Sequence, residues 1–64
     1  MVTVNGEAKQ AAGKTVSAYL AQAGYDTRRV VTELNGEIVP KARYDETVLA
    51  DGDSLEIVSF VGGG

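Results

Sequence analysis

Val30-Val31-Thr32-Glu33-Leu34-Asn35-Gly36-Glu37-Ile38-Val39-Pro40 reads as a strand, a tight turn and a returning strand. Val30, Thr32 and Leu34 alternate with Val31 and Glu33, the two-residue period of a half-buried strand. Asn35-Gly36 suits the positive backbone angles of a two-residue hairpin turn, and Ile38-Val39 then runs back beside the first strand. Pro40 cannot donate to a sheet ladder but is well placed to open a turn, so residues 41–44 are expected to form a short helical turn.

Toward the N-terminus the same signal occurs again. Val2-Thr3-Val4 precedes Asn5-Gly6, and the partner strand is expected over residues 7–12, where Ala8, Gln10 and Ala12 make a weak pattern that suits a sheet edge. Between the hairpins Thr15 is a natural N-cap, and Val16, Tyr19, Leu20 and Ala23 fall at i, i+3, i+4 and i+7, one face of a helix over residues 16–23. Gly24 supplies a left-handed stop, and residues 25–29 read as polar loop. Toward the C-terminus Thr47-Val48-Leu49 is expected as a brief strand, Asp51-Gly52-Asp53 as a tight turn, and residues 54–61 as the last strand. If the helix crosses over between the hairpins with the usual right hand, the first and last strands lie parallel at the sheet centre. The expected fold is α+β: a mixed sheet of four to five strands packed on one main helix, with Val2, Val4, Leu20, Val30, Leu34, Leu55 and Ile57 in one core.

With 64 residues the chain is one small domain, short of interior for a buried catalytic pocket. It contains no Cys, His or Trp, which removes disulfides, thiolate nucleophiles, imidazole bases and nearly every zinc or iron site. Asp45, Glu46, Asp51 and Asp53 do not follow the ligand order of a calcium loop, so no metal is expected. Nine acidic and six basic residues give a net charge of -3, which disfavours nucleic acid and anionic membranes. The first twenty residues lack the apolar run of a signal or a span, so a soluble, cytoplasmic protein is expected.

The sequence ends in Gly62-Gly63-Gly64. Three residues without side chains gain nothing from burial, but they suit a probe that threads a narrow channel and presents a carboxylate there. The domain proper is therefore read as residues 1–61 and the glycine tail as 62–64.

Asn5-Gly6, Thr15 before a short helix, Asn35-Gly36-Glu37-Ile38-Val39-Pro40, Tyr44, Asp51-Gly52-Asp53, Leu55-Glu56-Ile57-Val58 and Phe60-Val61-Gly62-Gly63-Gly64 together resemble the sulfur carrier family of thiamine biosynthesis over essentially the whole chain. The resemblance implies the ubiquitin-like β-grasp fold. It also implies that the chain is not an enzyme but a co-substrate, with no bound cofactor of its own. An activating enzyme would use ATP to adenylylate the carboxylate of Gly64, a persulfide-bearing sulfurtransferase would replace AMP to leave a thiocarboxylate, and a thiazole synthase would take the sulfur. A chain without Cys could carry sulfur only at that terminus. Alternative readings are the small subunit of molybdopterin synthase or another sulfur carrier, a ubiquitin-like protein modifier, and a β-grasp adapter with an inert tail.

Strand alternation adds a docking site. Leu55 and Ile57 face the helix, so Val58 and Phe60 point to the uncovered sheet face, joined by Val31 and Glu33 from the neighbouring strand. Exposed apolar groups beside a reactive tail are expected to contact the activating enzyme. The tyrosines read as core: Tyr19 on the helix stripe, Tyr25 and Tyr44 over the core's ends. The cations Arg28, Arg29, Lys41 and Arg43 are too scattered for a nucleic-acid stripe.

Overall fold

A computed structural model describes residues 1–60 of the chain; the expected tail, Gly62, Gly63 and Gly64, and the last residue of the expected final strand lie outside the described residues. The strands are β1 (Val2–Val4), β2 (Glu7–Lys9), β3 (Val30–Leu34), β4 (Glu37–Val39) and β5 (Ser54–Ser59), with the helix α1 (Val16–Gln22) between the two hairpins. They form one mixed sheet in the order β2-β1-β5-β3-β4. β1 and β5 run parallel, with Val4 opposite Leu55, while β3 lies antiparallel to both β5 and β4. The first and last strands therefore meet at the sheet centre, as the crossover argument requires.

Both Asn-Gly turns form as expected. Asn5 and Asn35 take φ of 49° and 53°, and the glycines after them 85° and 86°, the left-handed pair that a type I′ turn needs. α1 starts at Thr15, whose hydroxyl accepts from the Ala18 N–H at 3.1 Å. That bond satisfies one of the donors a helix start leaves free. The helix ends one residue earlier than the periodicity suggests: Ala23 is its C-cap, and Gly24 follows at φ +87°.

Four expectations change. β2 stops at Lys9 rather than running to residue 12, because the chain turns there, with the Ala11 N–H donating to the Lys9 carbonyl, and carries Ala11 into the core. The loop after α1 contains a 3₁₀ turn, Thr27–Arg29, capped by the Asp26 carboxylate, which accepts from the Arg28 N–H at 2.9 Å. Hydrogen bonding from the Arg28 guanidinium, and then that backbone bond, hold the Asp26 carboxyl below its ordinary range. Residues 47–49 do not form a strand; they make a single bridge, Thr15 to Val48, and bury Leu49. β5 ends at Ser59, where its partner β3 begins, and the Phe60 N–H bonds instead to the Arg29 carbonyl. The helical turn after Pro40 is present as Lys41–Arg43.

The core holds Val2, Val4, Leu20, Val30, Leu55 and Ile57 as expected, together with Val16 and Tyr19 from the helix stripe and Tyr44, and adds Ala11, Val39 and Leu49. Leu34 is only partly buried and packs against its margin. Thr32 on β3 is fully enclosed, and its hydroxyl has no hydrogen-bond partner. An unpaired buried hydroxyl costs free energy that a methyl of the same shape does not. Thr32→Val is therefore expected to stabilise the domain by about 1 kcal/mol, read as a raised midpoint in urea with an unchanged slope. A lowered midpoint would show that the hydroxyl is bonded after all.

Candidate functional site

The helix covers one face of the sheet and leaves the other open. On β5, Leu55 and Ile57 are buried beneath α1, while Val58 and Phe60 are 57% and 54% exposed. The β3–β5 register sets Val31 directly opposite Val58 and Glu33 opposite Glu56. Of the residues expected to form the docking face, Val31, Glu33 and Val58 thus fall on the open side, with Val31 half-buried by its neighbours, and Phe60 is exposed one residue beyond the end of β5.

Sequence reading missed a fifth. Ile38 on β4 is 67% exposed and lies opposite Glu33. Its signal was present: a two-residue turn fixes the register, and with Val39 turned into the core, alternation sends Ile38 outward. Around the sheet edge the same residue borders a shallow groove with Leu34, Val39, Pro40 and Arg43.

β5, which carries this face, is held by side chains from both hairpin turns. The Asn5 amide spans the backbone of Ile57, accepting from its N–H at 2.7 Å and donating to its carbonyl at 3.2 Å. β1 ends at Val4, so this side chain continues the ladder that its backbone no longer supplies. At the other end the Asn35 carbonyl oxygen accepts from the Ser54 N–H at 2.9 Å, and its amide donates to the Asp53 carboxylate at 3.0 Å. That bond and one from the Ala50 N–H hold the Asp53 carboxyl below its ordinary range. The Phe60 N–H bonds to the Arg29 carbonyl at 2.7 Å, which holds the last described residue beside the start of β3.

Among the described residues no group of three or more carboxylates is placed to hold a metal ion, and no helix is long and apolar enough to cross a membrane. The tail glycines lie outside the described residues, so the described geometry of the site is that of the face alone.

A parallel central strand pair between two hairpins, one crossing helix and an open face beside the C-terminal strand define a ubiquitin-like β-grasp domain. Comparison with known proteins narrows this class. The chain belongs to the ThiS family, whose model matches residues 2–64. It is 46% identical over 50 residues to the sulfur carrier protein ThiS of Bacillus subtilis, covering 78% of this chain and 76% of that one. A crystal structure of the thiamine biosynthesis protein ThiS from Geobacter metallireducens superposes with a TM-score of 0.76 at 36% identity, covering 98% and 97% of the two chains. The chain is also 48% identical over 64 residues to a thiazole synthase of Paramagnetospirillum magneticum, of which it spans only 20% of the length.

Proposed function

We propose that this protein is a sulfur carrier of thiamine biosynthesis, working in the cytoplasm, with residues 1–61 as the folded domain and Gly62-Gly63-Gly64 as the tail that enters its partners. The observation that carries this reading is the family match, which extends through the glycine tail to residue 64. The chemistry then follows from what a carboxylate needs. It is a poor electrophile until it gains a leaving group. An oxygen of the Gly64 carboxylate attacks the α-phosphorus of ATP held by an activating enzyme, and pyrophosphate departs. The terminal sulfur of a sulfurtransferase persulfide attacks the acyl carbon of the adenylate, and AMP departs. Cleavage of the resulting S–S bond by a thiol leaves the thiocarboxylate. Thiazole synthase is the acceptor this reading assigns, supported by the ThiS-like stretch within the P. magneticum thiazole synthase.

The chain's own contribution is recognition and reach. The open face formed by Val31, Glu33, Val58 and Phe60, extended by Ile38, docks on the activating enzyme, and the tail delivers the carboxylate. The test is intact mass after incubation with ATP, an activating enzyme and a persulfide donor. Replacement of one oxygen by sulfur is expected. Covalent linkage to a lysine of another protein would instead make the chain a modifier, and an unchanged mass would make the tail inert.

A further inference from the structure

Glu33 and Glu56 stand directly opposite each other on the adjacent strands β3 and β5, both exposed on the open face. Like charges in this position weaken a sheet, and polar neutral residues would solvate the face equally well. Among the described residues neither carboxylate has an ion-pair partner. Lys9 pairs with Glu7, Arg28 and Arg29 with Asp26, and Arg43 with Glu46, while the Lys41 ammonium donates to the Arg28 carbonyl.

The pair is bordered by apolar groups: Ile38 lies beyond Glu33, Val31 and Val58 occupy the next row on the same face, and the exposed Phe60 follows the end of β5. A protein that covers these side chains must also cover the two carboxylates. Burying a carboxylate without a counter-charge is strongly unfavourable. A second copy of this chain is a poor occupant, because two such faces together would oppose four carboxylates. The fitting occupant is an apolar surface from which a cation projects. A guanidinium suits best, since its planar fork of donors can serve two carboxylates at once.

Resting on the reading of this face as the dock for the activating enzyme, we infer that Glu33 and Glu56 form a two-carboxylate acceptor for an arginine or lysine side chain of that enzyme. The pair adds charge selectivity to a face whose apolar groups alone would accept many surfaces. The net charge of -3 draws the same basic surface from a distance.

The experiment is ATP–pyrophosphate exchange by the purified activating enzyme, with the wild-type chain, Glu33→Gln/Glu56→Gln and Phe60→Asp as substrates at low and high salt. The neutral double variant is expected to raise KM about tenfold at low salt with kcat unchanged, and the gap should close at high salt as the wild-type interaction is screened. Its thermal midpoint should equal or exceed that of the wild type, because a repulsion has been removed. Phe60→Asp should raise KM at both salt concentrations. If Phe60→Asp raises KM while the double variant matches the wild type at both salts, the carboxylate acceptor is overturned and the docking face stands. If both variants match the wild type, the docking face falls as well, and absence of exchange with the wild-type chain overturns the carrier reading and the inference with it. A double variant that self-associates with unaltered KM would assign the pair to keeping copies apart, which also overturns the inference.

Discussion

Deletion of Gly64 is expected to reduce adenylylation by about a hundredfold or more while the domain melts at its wild-type temperature. The reacting carboxylate has to arrive within bonding reach of the ATP α-phosphorus, and a displacement of about 1 Å in such a geometry can cost a hundredfold in rate. Removing one extended residue retracts the terminus by about 3.4 Å. Stability should not follow, because glycine has no side chain to bury. Gly63→Val is expected to fail for a different reason: reach is kept, but a β-branched side chain has to enter a passage sized for backbone. Adding a residue after Gly64 should block activation through overshoot. Pyrophosphate exchange separates these outcomes from a docking defect, since the open face is untouched in all three variants. Exchange at the wild-type rate by the Gly64 deletion would falsify the assignment of the terminal carboxylate as the reacting group.

Leu20→Ala is expected to unfold a large fraction of the protein at moderate temperature. Leu20 is fully buried on the inner face of α1, in the same core as Val2, Val30 and Leu55. Truncating a buried leucine costs about 2–5 kcal/mol, the larger values arising where the surroundings cannot collapse into the space. A 64-residue domain has about 3–10 kcal/mol of total stability at the usual contribution per residue, so the two quantities are comparable. Urea unfolding followed by circular dichroism checks this. A midpoint close to that of the wild type would mean that α1 is not seated on the sheet through Leu20.

Local sequence signals gave the elements because their causes are local. Asn5-Gly6 and Asn35-Gly36 specify type I′ turns through backbone sterics alone, Thr15 caps α1 through a bond three residues away, and alternation separated Leu55 and Ile57 from Val58 and Phe60. Which residues share the open face was legible for the same reason, since a strand's period and a two-residue turn together fix which side chains lie on one side. Ile38 could have been found by the same rule.

What the sequence could not settle depends on neighbours distant along the chain. Residues 47–49 have strand propensity, yet the bridge from Thr15 to Val48 is all the pairing they find. Leu49 goes to the core instead, since burial outweighs a propensity that acts only through sheet partners. The ends of β2 and β5 were misjudged because a strand stops where its partner or its direction does, and no residue within either strand encodes that. The clamps of Asn5 on Ile57, across 52 positions, and of Asn35 on Ser54 arise only once β5 lies between the two hairpins. So does the opposition of Glu33 and Glu56: sequence determined that each is an outward strand residue, and only the register of β3 against β5 decided that their charges meet. Dihedral preference and side-chain period act within a few residues, whereas pairing and register are set by how the whole chain buries its apolar groups.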